Sequence, residues 1–475
     1  METKNGTTLT RREMLKAMGL AAAAGVASAC APAAPAAAPQ AAEQPAAAPP
    51  ATASKKMVLW GLKYDPHIVR YNALLKAFAE KTGVEGTLQP QDWPLEVKVA
   101  AAMSAGTTPD VCCMMGKVLP PLLVKKAVVD LTDLVYKAIG TDIEKDWFGD
   151  GIPCYTYEGK IYGVPTEVSG ISLAGAWPTE DLQYHAITPE EAKQYPPLNG
   201  KIEFDSYEQM WELARKLQVE KDGKVLRYGI SSAGWEYSNF TSILHQLDRK
   251  WWDPETSTFD FDNEDSIKAF KLLVQTPVEM GIEAEQGDNQ TNLAQQGKVA
   301  VARGNVAVMF FLEEIKLWFE TFVPPRADPT KPPKYMGEGG WGFVTFPKVA
   351  NAENAIEFLK WLATLDGQRV WLENYQGNYL WLGPLRKSME LPMWQKTGNK
   401  YKDVIIDMCL RVAEMQPYQT YFGGLYGYIS QVEGACSEIC TQIRSKAMTA
   451  EEGAKLLQER ATNQYEQWKK DNELA

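Results

Sequence analysis

Apolar residues recur with the periods of strands and helices from residue 57 onward. A short apolar run at Met57–Gly61 is typical of a buried strand. Tyr71, Leu74 and Phe78 then follow at helical spacing, and Thr82-Gly83 indicates where that helix ends. The same reasoning predicts a strand at Val84–Leu88, a helix at Leu95–Met103 and a strand at Val111–Met115. This order implies right-handed crossovers and a parallel sheet that binds ligands beyond the carboxyl ends of its strands.

The pattern becomes less regular after residue 165. Two short aromatic runs flank Glu158-Gly159, which indicates a hairpin. Asp205 or Ser206 is positioned to cap a helix that reaches Leu217. The remaining predicted elements are a strand at Tyr228–Ser231, a helix from Ser266 to about Gln275 that Pro277 ends, and helices at Asn354–Leu365 and Glu452–Trp468.

The first thirty residues have the layout of an export signal. Arg11 and Arg12 precede an uncharged stretch that reaches Ala29, and this stretch is shorter than the roughly 20 apolar residues of a membrane span. The paired arginines resemble the twin-arginine export motif, with the general secretory route as the alternative. Ala27-Ser28-Ala29-Cys30 resembles a bacterial lipobox, so Cys30 is the predicted lipidation site. The alternative is an ordinary A-x-A cleavage site without acylation.

Residues 31–55 are almost wholly Ala, Pro, Gln, Glu and Thr. This composition has too little apolar bulk to fold, and its prolines favour an extended tether. A tether directly after a lipidated cysteine predicts a protein held at the outer face of the cytoplasmic membrane, in the periplasm or at the cell surface. About 420 residues remain. A single hydrophobic core rarely serves a chain of that length, so we expect two lobes.

Charge and cysteine content exclude several classes of function. The net charge is −11, with acidic and basic residues mixed along the chain, which argues against a nucleic-acid partner. Six cysteines follow Cys30, a number that permits disulfides without indicating a disulfide-dense scaffold. Cys436 and Cys440 are four residues apart, but no histidine lies nearby with ligand spacing. We therefore expect no metal site and no cofactor.

Several segments, in this order, resemble the family 1 extracellular solute-binding proteins, the sugar-binding receptors of ABC importers that include the maltose-binding type. They are residues 78–83 (FAEKTG), 99–110 (VAAAMSAGTTPD), 158–165 (EGKIYGVP), 296–301 (QGKVAV), 355–362 (AIEFLKWL) and 383–388 (GPLRKS). The resemblance covers nearly the whole chain after the tether. It implies an α/β fold of the type II periplasmic-binding-protein kind, in which two lobes with mixed central sheets are joined by hinge crossovers.

The resemblance also implies how the lobes are divided. The first lobe is expected to comprise residues 56–168 and about 338–383, and the second residues 169–337 and 384–475. Two departures from the family pattern stand out. Trp177-Pro178 replaces the usual Tyr-Asn, and two segments, at residues 297–301 and 304–309, compete for one family strand. We favour the second, because Phe310-Phe311 and Glu313 follow it as a binding loop would.

A sugar presents hydroxyls around its rim and an apolar C–H face, so its receptor needs aromatic platforms together with carboxylates and amides. The chain has 15 tryptophans and 20 tyrosines, enough for several platforms. The resemblance places ligand residues on loops that follow strands at the facing edges of the lobes. The residues that fit are Trp60, Tyr64, Asp92, Trp93, Met115, Glu167, Trp235, Glu236, Glu313, Gly340, Trp341, Asn378 and Tyr379. Trp361 and Trp371 lie on helical faces and are expected to be core.

The sequence therefore predicts a monomeric, exported receptor that binds a mono- or oligosaccharide and delivers it to the transmembrane subunits of an ABC permease by hinge closure. No catalytic residues are predicted, since the chain has no G-x-S-x-G or H-E-x-x-H motif and no phosphate-binding glycine loop. Three alternatives remain open. They are the same fold with a polyamine, iron or organic anion as ligand, a secreted carbohydrate-active enzyme, and an anchored sensor without a transporter.

Overall fold

The computed structural model describes most of the chain after residue 54. The described residues are 55–148, 151–168, 171–177, 204–234, 236–253, 255–284, 293, 296–305, 318–322, 325–331, 336–337, 340–375, 382–399, 402, 403, 406, 407, 409, 410, 413, 419–420 and 429–471. Ser54–Ala475 form one compact unit. Among the helices of these ranges, none is both long enough and apolar enough to cross a membrane.

The strands are β1 Lys56–Leu62, β2 Glu85–Gln91, β3 Val111–Met115, β4 Thr156–Tyr157, β5 Lys160–Ile161, β6 Val164–Pro165, β7 Ile171–Trp177, β8 Val219–Lys221, β9 Lys224–Ser231, β10 Trp252–Asp253, β11 Thr258–Phe259, β12 Val299–Asn305, β13 Trp318–Phe322, β14 Met336–Gly337, β15 Trp341–Val344 and β16 Gln419–Thr420. The α-helices are α1 Asp65–Thr82, α2 Leu95–Ala105, α3 Pro120–Val124, α4 Ile143–Asp146, α5 Tyr207–Leu217, α6 Glu236–Gln246, α7 Glu264–Phe270, α8 Thr276–Glu279, α9 Ala352–Leu362, α10 Leu365–Glu373, α11 Ile429–Arg444 and α12 Ala450–Asp471.

The first central sheet has its described strands in the order β2–β1–β3–β15–β6. β1 pairs in parallel with both β2 and β3, as the sequence predicts. β15 pairs antiparallel with β3 and with β6, so the sheet is mixed. The parallel part follows from the β-α-β-α-β order, whereas β15 comes from more than 200 residues further along the chain.

The second central sheet has its described strands in the order β13–β7–β12–β9–β8, and it is mixed as well. β12 is parallel to β9 and antiparallel to β7. The chain enters this sheet at β7, directly after β6, and returns to the first sheet at β15. Two mixed sheets that the chain visits in this way are the arrangement the resemblance implies.

Local sequence signals explain the ends of several helices. Gly83 and Gly106 follow α1 and α2 in the left-handed conformation, with φ of 74° and 69°, which a glycine adopts without a Cβ clash. Ser206 caps α5, as one of the two predicted caps. Its side chain accepts a hydrogen bond from the backbone nitrogen of Gln209.

The expectation that Pro277 ends a helix is wrong. α7 continues as a π-helical stretch at Lys271–Gln275 and then as α8, with Pro277 in the first turn of α8. A proline clashes with the carbonyl four residues earlier and donates no hydrogen bond. The wider π turn before α8 accommodates both effects, so the helix changes its winding and does not stop there.

One of the two competing segments for the family strand is seen directly. β12 begins at Val299, so the first segment, residues 297–301, supplies the strand that pairs with β7 and β9. Our preference for the second segment is therefore not supported. Gly304 and Asn305 are the end of β12, and residues 306–309 lie outside the described ranges.

The buried Asp110 ties three parts of the first sheet together. Its Oδ2 accepts hydrogen bonds from the backbone nitrogen of Val58, at 2.7 Å, and from the side-chain nitrogen of Asn351, at 2.9 Å. Its carbonyl accepts one from the hydroxyl of Thr345, at 2.7 Å. A buried carboxylate needs such donors, and here they fix β1 and the segment after β15 against the start of β3.

Hydrophobic residues on the α1 side of the first sheet pack against α9 and α10, where Phe78, Phe343, Phe358 and Trp371 are buried. The other side of that sheet belongs to a second cluster, which extends to the helices around the second sheet and includes Phe240, Phe270 and Ile439. Trp341 packs against both clusters. The lobe boundaries remain a prediction. Residues just after the predicted boundary at 384, such as Leu385 and Trp394, lie in the first cluster.

Candidate functional site

The predicted ligand residues of the first sheet gather at one edge. β1, β2 and β3 are parallel, so the segments after Leu62, Gln91 and Met115 emerge at the same edge. β15 is antiparallel and begins there, with Trp341 opposite Met115. The residues that this arrangement brings to the edge are Tyr64, Asp92, Trp93, Met115, Gly340 and Trp341.

Four rings at this edge form a chain of edge-to-face contacts, and we call Tyr64, His67, Trp341 and Trp93 the aromatic corner. The Trp93 and Trp341 ring centroids are 6.4 Å apart with 78° between the planes. Trp341 and His67 are 5.0 Å apart at 82°, and His67 and Tyr64 are 5.3 Å apart at 78°. Trp93 is 48% exposed, and Tyr64 and Trp341 are half-buried. The corner therefore offers aromatic surface to a ligand.

The loop before β15 is held by close backbone packing. The hydroxyl of the buried Tyr155 lies 2.7 Å from the Met114 carbonyl and 3.1 Å from the Gly340 carbonyl. A Cβ added to Gly340 would lie 1.8 Å from the Glu167 carbonyl oxygen, so no other residue fits without moving backbone. The nitrogen and hydroxyl of Thr166 both donate to the Trp341 carbonyl, at 2.8 and 3.0 Å. Trp341 thus rests on a rigid support.

Glu167 lies beneath the corner and not on its surface. Its side chain is fully buried, and Oε1 accepts hydrogen bonds from Arg70 Nη1, at 2.7 Å, and Trp371 Nε1, at 3.3 Å. His67 Nε2 lies 3.6 Å from the same oxygen. Burial is the main reason that the pKa of His67 is lowered, although Glu167 opposes this effect. The predicted ligand carboxylate is engaged by the protein's own donors.

Trp60 and Asp92 lie beside the corner with partners of their own. Trp60, on β1 two residues before its end, donates from Nε1 to Gln89 Oε1 at 2.7 Å. Asp92 is exposed, and its Oδ2 lies 3.7 Å from Lys98 Nζ. Trp60 is partly buried and Asp92 is exposed, and both carry groups that bind hydroxyls.

Glu236 belongs to a polar network around the second sheet. It begins α6, is 6% exposed and accepts a hydrogen bond from the Ser437 hydroxyl at 3.1 Å. Arg444 Nη2 lies 3.8 Å from its Oε1, and Arg444 Nε lies 3.1 Å from Glu283 Oε1. The described contacts of Glu236 are thus with α11, and they do not join it to the aromatic corner.

An ion pair connects the first sheet's edge with α11. Lys117, two residues after β3, lies 3.0 Å from Glu433 Oε1, and the two side chains are 15% and 25% exposed. Glu96, at the start of α2, has a raised pKa because its carboxyl is partly buried, and Lys117 opposes the shift. Charged groups from the first sheet's edge and from α11 therefore meet next to the segment that follows Met115.

Several predicted functional residues lie outside the described ranges. They are Trp235, Glu313, Asn378 and Tyr379 among the ligand residues, and Arg11, Arg12 and Cys30 in the export segment. Within the part of the chain that the structure describes, no group of three or more His, Cys, Asp or Glu side chains lies close enough together to hold a metal ion.

Sequence reasoning missed the buried support of the corner. The sequence does not identify His67 or Arg70 as site residues, whereas the expectation that Trp371 is core is confirmed by its burial. A signal was present, because His67, Tyr71, Leu74 and Phe78 recur at spacings of four, three and four. Extending the apolar face of α1 by one turn predicts that His67 is buried. Its contact with Glu167, a hundred residues further on, has no such local signal.

Comparisons with known proteins agree with this geometry. The family model for the bacterial extracellular solute-binding proteins matches residues 73–402. Among curated proteins, none matches the chain significantly. Solved structures with the same fold include the maltose/maltodextrin-binding domain MalE from Bdellovibrio bacteriovorus bound to maltotriose. That structure is 15% identical, with a TM-score of 0.65, over 86% of this chain and 100% of the other.

Two further structures are similar over nearly their full length. UgpB from Mycobacterium tuberculosis, in complex with glycerophosphocholine, is 16% identical with a TM-score of 0.67, over 87% of this chain and 98% of the other. The GacH receptor of Streptomyces glaucescens, studied unliganded and with acarbose, is 15% identical with a TM-score of 0.64, over 87% and 99%. These likenesses confirm the predicted type II periplasmic-binding-protein-like fold. Because the family model spans 69% of the residues, this chain belongs to the bacterial extracellular solute-binding proteins.

Proposed function

We propose that this protein is the solute receptor of an ABC importer and that it binds a carbohydrate in a cleft between two lobes. The observation that carries the proposal is the aromatic corner at the carboxyl edge of the first sheet. A sugar stacks its C–H face on an indole ring, and the ring's own edge-to-face neighbours hold it in place. Trp93 and Trp341 are accessible and nearly perpendicular, so they offer two walls to one ligand.

The hydroxyl rim of a sugar needs hydrogen-bonding groups beside the platform. Asp92 and Gln89 lie next to the corner, and the Tyr64 hydroxyl belongs to it. Met115 and Gly340 line the same edge without bringing charge. We propose that the remaining contacts come from the residues predicted from sequence, namely Trp60, Trp235, Glu236, Glu313, Asn378 and Tyr379, with Glu167 acting from beneath.

We propose hinge closure as the mechanism. A ligand that contacts both lobes stabilises the closed arrangement by its difference in affinity between the open and closed forms. The ion pair between Lys117 and Glu433 joins the first sheet's edge to α11 next to the corner. Lobe movement would therefore make or break this pair. The closed receptor then docks on the transmembrane subunits of the permease. No covalent step is needed, so we propose binding without turnover.

Export and anchoring complete the proposal. The family is extracellular, which agrees with an export signal in the first thirty residues. We propose twin-arginine export through Arg11 and Arg12, acylation of Cys30 and a monomeric receptor on a tether. Intact mass measurement of the membrane-extracted protein tests the anchor. A mature chain that begins at an acylated cysteine supports the anchor, and so does release of the Cys30→Ala variant into the medium. An unmodified Cys30 contradicts it.

A second candidate ligand is a small polar solute that is not a sugar. UgpB, which shares the fold, was crystallised with glycerophosphocholine. An aromatic corner in an acidic protein also suits a cationic headgroup, because ring faces attract ammonium ions. This candidate keeps the receptor role and changes the ligand.

Thermal-shift measurements on the purified protein distinguish the candidates. The screen covers mono- and oligosaccharides from glucose to maltotetraose, polyols, glycerophosphocholine, spermidine and ferric citrate, with Trp341→Ala as the matched variant. A ligand at 100 times its Kd stabilises the folded state by about 2.7 kcal/mol, which raises the melting temperature. A shift by a sugar that disappears in the variant supports the sugar proposal. A shift by another class alone, or release of products from an oligosaccharide, overturns it.

A further inference from the structure

His67 occupies the point where the aromatic corner meets the protein core. Its side chain is fully buried, in the first turn of α1. Its ring centroid lies 5.0 Å from that of Trp341 and 5.3 Å from that of Tyr64 on the ligand side. On the core side it lies 5.5 Å from that of Trp371 and 5.8 Å from that of Tyr71. One imidazole therefore separates two accessible rings from two buried ones.

The same imidazole faces a crowded carboxylate oxygen. Oε1 of Glu167 lies 2.7 Å from Arg70 Nη1, 3.3 Å from Trp371 Nε1 and 3.6 Å from His67 Nε2. Arg70 also lies over the Trp371 ring, with Cζ 5.1 Å from the centroid. The carboxylate charge is thus already balanced by a guanidinium. A proton on His67 would bring a second cation into the same buried space.

The titratable groups around His67 come from three parts of the chain. They are Tyr64, Arg70 and Tyr71 near or on α1, Cys113 on β3 beyond Tyr71, and Glu167 after β6. Burial raises the pKa of Tyr71 and of Cys113, so both stay neutral in the physiological range. Arg70 and Glu167 form an ion pair here, and His67, whose pKa is lowered mainly by burial, gains a charge only when the pH falls below its ordinary pKa.

Of the rings that contact His67, Trp341 combines accessible surface with a direct contact to Trp93, the other wall of the corner. Tyr71 and Trp371 are fully buried, whereas Trp341 is half-buried and begins a strand. The segment that carries Trp341 also touches the Glu167 backbone through Gly340. A change at the His67–Glu167 contact therefore reaches Trp341 through its ring and through its loop.

We propose that His67 is a positioning residue of the solute site, whose neutral ring holds Trp341 in its edge-on orientation, so that protonation of His67 displaces Trp341 and weakens binding. This inference rests on the proposed function only for its last step. The displacement of Trp341 is a property of the protein without ligand.

The first test needs no ligand. The purified protein is labelled with 5-fluorotryptophan, and the Trp341 fluorine resonance is assigned with Trp341→Phe. Lowering the pH from 7.5 is expected to move this resonance in the wild type and to leave it in place in His67→Gln. Trp252, which packs against Phe259 and Tyr465, provides the control resonance. A Trp341 resonance that moves equally in the variant, or that stays still until the protein unfolds, overturns the proposal.

A second measurement keeps the proposal testable if the variant does not fold. The chain has three histidines, so the His67 Cε1 proton can be assigned and followed in the wild type. The proposal requires the histidine and Trp341 resonances to share one midpoint. Two clearly different midpoints contradict it.

Calorimetric titration with maltotriose then tests the effect on binding. One pH unit below the shared midpoint, the affinity is expected to fall by about fivefold or more in the wild type and to stay constant in His67→Gln. Equal losses in both proteins overturn the coupling to binding. If maltotriose binds at no pH, the sugar proposal fails for this ligand, while the resonance shifts still decide the role of His67.

Discussion

Arg70 Nη1 lies 2.7 Å from Glu167 Oε1, and both side chains are fully buried beneath Trp341. The pair joins α1, which follows the first strand, to the segment through which the chain leaves the first sheet. Moving two charges out of water is costly, and only close geometry with further hydrogen bonds offsets the cost. Here Trp371 supplies one such bond. The site's aromatic surface is therefore supported by an ionic contact.

Removing one partner of this pair is expected to destabilise the protein strongly. Arg70→Met leaves the Glu167 carboxylate buried without its guanidinium, which costs about 3–5 kcal/mol of unfolding free energy. Urea denaturation measures the loss. Lys76→Met is the matched control on the same helix, since the Lys76–Glu80 pair is highly exposed and contributes less than about 1 kcal/mol. Equal effects of the two variants would contradict the assigned role of the pair.

The buried His67 makes stability depend on pH. Its pKa is lowered in the folded protein, so between the ordinary value of about 6.5 and the lowered value the unfolded chain binds more protons. The contribution of His67 to the unfolding free energy is therefore fully present well above pH 6.5. It falls as the pH falls below that value, by up to about 1.4 kcal/mol per pH unit. Urea titrations from pH 7.5 downward are expected to show a shallower decline for His67→Gln. Parallel declines for both proteins would show that His67 does not contribute to the pH dependence of stability.

Periodicity and turn residues were enough to predict the parallel half of the first sheet. The glycine at 83 ends α1 where expected, because its left-handed conformation is a local property. The common edge of Tyr64, Trp93 and Met115 then followed from the rule for parallel strands. Trp341 was placed at that edge by the family resemblance alone. No local pattern could place it there, because its pairing with Met115 spans more than 200 residues.

Other features depend on tertiary contacts that no local pattern contains. Glu167 was expected to face a ligand, because a carboxylate after a strand is usually solvated. Its burial depends on Arg70 and Trp371 from two other helices. Pro277 was expected to end a helix, but a π turn before it removes the steric conflict. In both cases the local rule holds for an isolated segment and the packed protein supplies an alternative.

Gly340 is expected to tolerate no side chain. A Cβ would lie 1.8 Å from the Glu167 carbonyl oxygen, so Gly340→Ala must shift the loop that carries Trp341. We expect a loss of about 1–3 kcal/mol in unfolding free energy, measured by urea denaturation. Gly434→Ala is the control, because its Cβ meets nothing within 4 Å on the exposed face of α11. That change is expected to be neutral or to stabilise by up to about 1 kcal/mol. Similar losses at both positions would contradict the steric argument.

The six cysteines after the tether are expected to be unreactive in the native protein. The structure has them as buried thiols, with none joined in a disulfide: Cys112, Cys113, Cys154, Cys409, Cys436 and Cys440. Burial raises the pKa of Cys409 to about 12 and that of Cys112 further, so little thiolate is present. Maleimide labelling with peptide mass analysis is expected to modify none of the six before denaturation and all of them in guanidinium. Rapid native labelling at any of them would contradict the packing.

Trp93 is expected to matter for binding far more than for stability. It is 48% exposed, so Trp93→Ala removes little buried surface, yet it deletes one wall of the aromatic corner. For the sugar found in the thermal-shift screen, we expect the affinity to fall about tenfold or more, as for a ring at the centre of a binding site. Leu134→Ala is the matched control, since Leu134 is 45% exposed and lies outside the corner. Calorimetric titration measures both variants. An unchanged affinity in Trp93→Ala, or an equal loss in Leu134→Ala, would show that the ligand binds elsewhere.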